Sequence, residues 1–153
     1  MGKERRLEWC LFFATIGISF IFMTSLGVAE DFLDHYERGE FSLAAEKWES
    51  AIEHFTRAIQ DNPKFFRAYH ARAIALSKRG EYDRSIEDLQ KAVELNPDYP
   101  DAYGLMGLVY ELKGDYQAAL KMYQFAMARE KRPAMRKLLD TYINEARARL
   151  KSK

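Results

Sequence analysis

The stretch Arg79-Gly80-Glu81-Tyr82 decides the fold, because the same order of residue types occurs elsewhere in the chain. Lys113-Gly114-Asp115-Tyr116 is a later copy, and Arg38-Gly39-Glu40-Phe41 is an earlier, third copy. Each copy carries a basic residue, a glycine, an acid and an aromatic residue in that order. Glycine adopts the left-handed backbone conformation at little cost, so the three copies predict one turn used three times.

Other landmarks share the interval that separates Gly80 from Gly114. Asn62-Pro63 and Asn96-Pro97 are separated by the same interval, and so are Tyr69 and Tyr103. Several independent landmarks at one period indicate an internal repeat, and repeats of this length are typical of stacked structural units.

The chain after Ala29 follows a helical pattern. It is rich in Ala, Leu, Glu, Lys and Arg, which favour helices, and it has few features that favour strands. Between the glycine and Asn-Pro breaks, apolar residues recur at spacings of three and four, as on the buried face of a helix. Two such runs are Phe65, Ala68, Tyr69, Ala73 and Leu76, and Ile86, Leu89, Ala92 and Val93. The sequence therefore predicts an all-α protein.

The repeat resembles the tetratricopeptide repeat (TPR), a helix–turn–helix unit with small and aromatic residues at fixed offsets. Tyr103-x2-Met106-Gly107-x2-Tyr110 matches the first helix of that pattern. Ala119-x3-Tyr123-x2-Ala126 matches the second helix, and Lys131 occupies the position where the pattern has a proline. One repeat earlier, Arg72 and Leu76 depart from the pattern.

The resemblance implies a solenoid of helix pairs, in which each pair buries its apolar face against the next. About three repeats are expected, over residues 30–63, 64–97 and 98–132. Residues 133–153 are expected to form a basic amphipathic helix that caps the stack.

The first repeat is predicted to be irregular. The interval from Gly39 to Gly80 exceeds the interval from Gly80 to Gly114 by nearly two helical turns. An insertion of that length preserves the same buried face. We therefore expect the second helix of this repeat to be about two turns longer than usual and unbroken between Ala44 and Ala58.

The N-terminal part predicts a membrane anchor. Residues 1–8 carry three basic residues, and residues 9–29 contain no charged residue. As a helix, residues 9–29 would span about 30 Å, the thickness of a bilayer core. The positive-inside rule places residues 1–8 in the cytosol and the repeats on the periplasmic or luminal side of a single-pass protein.

A cleaved signal peptide is the alternative to a signal anchor, since Gly27 and Ala29 are small residues before a possible cleavage site. The length of the apolar segment favours the anchor. In both cases the repeats are extracytoplasmic. The single cysteine, Cys10, excludes a disulfide within one chain.

The net charge of +1 conceals two regions of opposite sign. Residues 30–128 contain 12 basic and 18 acidic residues, and residues 129–153 contain 9 basic and 3 acidic ones. The basic helix has three interpretations: a solvated cap, a contact for an acidic protein or anionic membrane, or a contact for nucleic acid. The extracytoplasmic location disfavours nucleic acid.

No residue pattern predicts catalysis, a cofactor, a metal ion or a small-molecule substrate. The three histidines, His35, His54 and His70, have no second ligand at a recognised metal-binding spacing. The chain also lacks a phosphate-binding loop and a nucleophile–base motif. The sequence therefore predicts a protein without enzyme activity.

The predicted working surface is the concave face, which the first helices of successive repeats form. Its predicted residues are Arg67, His70, Ile74, Lys78, Asp101, Leu105, Leu108, Glu111 and Leu112. Relatives that bind the C-terminal peptides of chaperones hold two carboxylates with Lys, Asn and Arg, and those residue types are not assembled here. The central apolar strip favours a helical or extended segment with Leu, Phe or Met anchors.

The sequence thus predicts a membrane-tethered adaptor that binds proteins and helps to assemble or stabilise a membrane complex. Two alternatives remain open. The chain could be a structural subunit packed into a complex through residues 9–29, or a secreted periplasmic binding module after signal cleavage.

Overall fold

The structure, a computed structural model, describes residues 31–152. The described part is all-α, as predicted, and its helices follow one another in a stack of seven. Their bounds are α1 (31–44), α2 (Trp48–Asp61), α3 (Phe66–Lys78), α4 (Tyr82–Leu95), α5 (Pro100–Leu112), α6 (Tyr116–Arg129) and α7 (Pro133–Lys151). From α2 onward each helix packs against the next, and α3 also contacts α5.

The predicted anchor over residues 9–29 lies outside the described residues. Among residues 31–152, no helix has both the length and the apolar character that a membrane span requires.

The turns within the helix pairs recur at a strictly constant interval. Glu46, Gly80 and Gly114 are evenly spaced along the chain, and all three have positive φ angles, at 56°, 80° and 78°. In the second and third pairs this conformation falls on the glycine of the predicted turn, while in the first pair it falls on a glutamate. Residues separated by this interval, as Gly80 and Gly114 are, are called equivalent below.

The predicted long second helix is wrong. Helix α1 continues through Gly39 to residue 44, the chain turns at residues 45–47, and α2 begins at Trp48. Gly39 is equivalent to Ala73 and Gly107, which lie inside first helices, so Arg38-Gly39-Glu40-Phe41 is not a copy of the turn. The first pair therefore has ordinary spacing.

These small residues allow the two helices of a pair to approach closely. A Cβ atom on Gly39 would lie 2.5 Å from the ring of Phe55, and one on Gly107 would lie 2.5 Å from the ring of Tyr123. Phe55, its equivalent Leu89 and Tyr123 are all fully buried. One large side chain from each second helix thus packs where the first helix has almost no side chain.

The core lies within the helix pairs and between them. Apolar residues of α3, α4 and α5 form the central cluster, and α6 and α7 form a second cluster around Tyr123. A third cluster joins α2 to α3 through Phe55 and Ala71.

A partly buried ion pair explains why Arg72 departs from the repeat pattern. Its guanidinium group donates two hydrogen bonds of 2.7 Å to the carboxylate of Asp88 and one of 3.0 Å to the hydroxyl of Thr56. Arg72 therefore connects α3 to α4 and α2. In the third repeat, Met106 and Met122 are equivalent to Arg72 and Asp88, so that pair of positions is apolar.

Two glycines of α5 provide a matched test of the close contact. Gly107→Ala should destabilise the protein by about 1–3 kcal/mol, because the new methyl group overlaps the ring of Tyr123. Gly104→Ala should stabilise it by up to about 1 kcal/mol through helix propensity, since the nearest atom, in Leu139, would lie 4.0 Å away. Urea unfolding measures both changes, and equal effects would refute the assigned contact.

The third repeat also supplies a design that tests the ion pair. Arg72→Met alone should lower the free energy of unfolding by about 3 kcal/mol, because it leaves the carboxylate of Asp88 partly buried and unpaired. Adding Asp88→Met recreates the apolar pair of the third repeat and should recover most of that loss. A double variant as unstable as the single one would show that the loss comes from packing.

Candidate partner-binding groove

The nine residues of the predicted surface lie on two adjacent first helices. Arg67, His70, Ile74 and Lys78 belong to α3, and the others belong to α5. Arg67, Lys78, Leu108 and Leu112 are exposed, while His70, Ile74, Asp101, Leu105 and Glu111 are half-buried. Since α3 contacts α5, both sets lie on one continuous face.

A hollow of about 240 Å³ lies between α5 and α7. The predicted residues Asp101, Leu105 and Leu108 line one side of it. The remaining lining residues are Pro100, Gly104, Glu130, Met135, Leu138, Leu139 and Tyr142. We call this space the α5–α7 hollow. The predicted surface did not include the residues of α7.

The repeat register explains where the hollow forms. Tyr36, His70, Gly104 and Leu138 are successive equivalent residues, on α1, α3, α5 and α7. Because the residue on α5 is a glycine, Gly104, no side chain fills the space beside α7. Leu108 and Leu138 keep 40% and 41% of their surface exposed, so the apolar walls of the hollow are open to solvent. The equivalence of Gly104 and Leu138 was the sequence signal that could have located the hollow.

One edge of the hollow is closed by charged groups. Arg132 pairs with the carboxylates of both Asp101 and Glu130, the latter at 2.7 Å. Arg136 donates hydrogen bonds of 2.9 Å to the backbone carbonyl oxygens of Met127 and Glu130. These contacts fix the start of α7 against α5 and α6. Asp101, predicted as a groove residue, is therefore engaged with Arg132.

The position of Glu130 depends on its charge. The side-chain and backbone hydrogen bonds from Arg132 lower the pKa of this carboxyl group to about 2. Its side chain is only 3% exposed. The carboxylate thus remains ionised at all ordinary pH values and holds the segment between α6 and α7.

Aromatic contacts define the part of the face on α3. The ring of Tyr99 lies edge-on to those of His70 and Phe66, with centroid distances of 5.1 and 5.0 Å. The hydroxyl oxygen of Tyr99 lies 3.3 Å from Nδ1 of His70. Burial lowers the pKa of His70, which favours its neutral form at pH 7.

The other end of the α5 strip carries an acid. Glu111 accepts a hydrogen bond of 2.7 Å from the hydroxyl of the buried Tyr123. Burial and this carboxylate raise the pKa of Tyr123. Leu112, which follows, is 53% exposed. The α5 side of the groove is therefore an apolar strip with a carboxylate at each end.

The groove offers shape, apolar surface and charge. Within residues 31–152, no group of three or more His, Cys, Asp and Glu side chains is arranged to hold a metal ion. The fold defines a class of protein, the helical-repeat scaffolds, whose stacked helix pairs present an extended concave surface to other molecules.

Family models identify the repeats. A TPR repeat model matches residues 75–114, and two tetratricopeptide repeat models match residues 54–87 and 102–137. Together these matches extend from residue 54 to residue 137, and the chain belongs to the tetratricopeptide-repeat family. A search of curated proteins found no significant match.

Solved structures share the fold. The TPR2B domain of yeast Sti1, in a complex with an Hsp70 peptide, is 22% identical with a TM-score of 0.74 and covers 78% of this chain and 98% of its own. The second TPR domain of human RPAP3, in complex with an HSP70 peptide, is 22% identical with a TM-score of 0.72 and the same coverage. The TPR domain of Arabidopsis OM64 is 21% identical with a TM-score of 0.71 and covers 77% and 98%. At these identities the likeness shows the fold alone.

The charge on Glu130 gives a pH-dependent prediction. Glu130→Gln should lower the thermal midpoint at pH 7, because the neutral amide makes weaker hydrogen bonds with Arg132. A lowered folded-state pKa stabilises the protein above the unfolded-state value, near 4.5, and this contribution disappears as pH falls towards about 2. The difference between variant and wild type should therefore be constant from pH 5 to 8 and shrink below pH 4.5.

Midpoints measured by circular dichroism across this pH range test the prediction. Glu87→Gln, at an exposed position on α4, is the control and should leave the midpoint almost unchanged. A Glu130→Gln deficit that persists unchanged at pH 2.5 would contradict the electrostatic explanation.

Proposed function

We propose that this protein captures a segment of a partner protein, which inserts an apolar side chain into the α5–α7 hollow. The observation that carries the proposal is the hollow itself, walled by Leu105, Leu108, Met135 and Leu138 and open to solvent. A Leu, Phe or Met anchor on a helical or extended segment suits these walls. Tetratricopeptide repeats mediate protein–protein interactions, which agrees with this use of the face.

The charges favour an apolar anchor over an acidic chaperone tail. In the Spaghetti (RPAP3) structure, which is 20% identical to this chain, a TPR domain is bound to the HSP90 peptide SRMEEVD. An acidic peptide in the present groove would meet the carboxylate of Glu111 on α5, and that of Asp101, which is already paired with Arg132. The peptide would also meet His70, whose lowered pKa favours the neutral form at pH 7. Carboxylates near an unpaired acidic ligand weaken its binding.

One buried anchor gives modest affinity. Burial of a Leu or Phe side chain contributes about 1.5–3 kcal/mol, and association has its own entropic cost. We propose that residues 9–29 tether the repeats to a membrane and so raise the effective concentration near a membrane-bound partner. Support for the tether comes from the lack of any charged residue in that segment.

In this scheme the protein helps to assemble or stabilise a membrane complex from the extracytoplasmic side. The alternatives are a structural subunit held through residues 9–29 and a free module after signal cleavage. The mass of the chain purified from its native membrane separates these outcomes. A chain that starts near Glu30 would show that the segment is removed, and then no tether exists.

Two variants test the groove. Gly104→Leu places a side chain in the hollow, and Leu108→Asp places a charge on its exposed wall. Both should reduce cross-linking of a partner to a photoreactive residue at position 112 by roughly tenfold or more, which corresponds to the loss of one buried anchor. Gln90→Asp adds a charge on an exposed site of α4 and should leave the cross-linked product unchanged.

The cross-linking is done on the full chain in its native membranes, with thermal midpoints measured to confirm folding. Equal product from wild type, Gly104→Leu and Leu108→Asp would mean that the hollow does not hold the partner. A loss with Leu108→Asp but not with Gly104→Leu would place the contact on the outer strip instead.

A further inference from the structure

Phe41 is exposed at a position that is buried in the other repeats. Its side chain keeps 75% of its surface accessible, whereas its equivalents Ala75 and Val109 are fully buried. In those repeats the preceding helix pair covers this position. Phe41 lies on the face of α1 where a preceding pair would dock.

The rest of that face is acidic. Asp34 and Glu37 are equivalent to Ala68 and Ala71, which are buried. Asp34 forms an ion pair of 3.0 Å with Arg38, while Glu37 forms none with any residue in the described part of the chain. Ala44, one helical turn beyond Phe41, is exposed as well. A surface that fits this face must carry a positively charged side chain and otherwise small side chains.

The opposite end of the stack has those properties. On α7, Lys137, Thr141, Asn144 and Ala148 form the stripe that faces away from the buried residues Leu139, Ile143 and Ala146. Thr141 and Ala148 are small and exposed, which allows another helix to approach closely. Lys137, Arg147, Arg149 and Lys151 form no ion pair within residues 31–152.

The two ends also have opposite net charge. Helix α1, over residues 31–44, contains four acidic residues and one basic residue. Helix α7 contains five basic residues and two acidic ones. An α1–α1 or α7–α7 contact between two copies would bring like charges together, whereas an α1–α7 contact pairs opposite charges.

We propose that α1 of one copy packs against α7 of a second copy, so that copies associate head to tail. With the two helices parallel, Phe41 lies over Thr141, and Glu37 lies beside Lys137 of the second copy. The contact places α7 of the second copy on the face of α1 where a preceding pair would dock. Because it joins two different surfaces, each copy keeps a second surface for a further copy, and the contact produces rows or closed rings.

Cross-linking of the full chain in detergent tests the arrangement. In a Cys10→Ser background, an Ala44→Cys chain and a differently tagged Asn144→Cys chain are mixed and treated with a short bismaleimide. We expect a mixed product that decreases several-fold between 50 and 500 mM NaCl, because exposed charges are screened by salt. Gln90→Cys in place of Asn144→Cys is the matched control and should give no mixed product.

Charge exchange provides the decisive comparison. Lys137→Glu in the Asn144→Cys chain should reduce the mixed product several-fold, and Glu37→Lys in the Ala44→Cys chain should restore it. Phe41→Asp should abolish the product without lowering the thermal midpoint, since that side chain is largely exposed.

The other outcomes overturn the proposal. Product only between two Ala44→Cys chains would mean that copies pair through α1. A link between Cys10 and residue 44 of one Ala44→Cys chain that retains Cys10 would mean that the N-terminal segment covers Phe41. Absence of any product between copies, with folding intact, would mean that no second copy occupies this face.

Discussion

One large side chain packed against a residue with little or no side chain is the contact on which the rest of the structure depends. Phe55 against Gly39 and Tyr123 against Gly107 are two instances, and Leu89 with Ala73 is the equivalent pair between them. The contact brings the two helices of a pair close together and fixes their relative rotation. Because it recurs once in every repeat, each pair is oriented in the same way on its neighbour. The first helices then lie side by side, and the groove is the face that they share.

The repeat period made the class of fold predictable, but the residue types of a short motif led to a wrong prediction for one turn. Arg38-Gly39-Glu40-Phe41 has the residue types of the turn, yet Gly39 has the position of the small helical residue. The spacing indicated the correct position of Gly39, because the interval from Gly39 to Phe55 equals the interval from Gly107 to Tyr123. The true turn has Glu46 in the left-handed region, where a glycine is usual, so no residue type marked it. Position within a repeat is therefore a better guide than residue type.

The groove shows a similar division between what the pattern reveals and what it conceals. Helical periodicity was sufficient to list side chains on one face of α3 and α5. It could not give the α5–α7 hollow, since a hollow depends on the distance between two helices and on the side chain absent at Gly104. Nor could it show that Asp101 forms an ion pair, because its partner Arg132 comes after α6 and is distant from Asp101 in the sequence. Contacts between distant residues require the packed structure.

The equivalent pairs of positions hold Arg38 and His54 in the first repeat, Arg72 and Asp88 in the second, and apolar residues, Met106 and Met122, only in the third. In the first helix pair, α1 and α2, the Nδ1 atoms of His35 and His54 are buried and have no hydrogen-bond partner among the described residues. An unsatisfied buried polar atom costs free energy, so these histidines lower the stability of the α1–α2 pair. The third pair instead packs through Met106 and Tyr123 and is covered by α7. The α5–α7 hollow is thus built on the repeat in which these two equivalent positions are apolar. A binding site on rigid elements loses less entropy when its ligand binds, so the apolar packing of the third helix pair helps to hold the groove in shape.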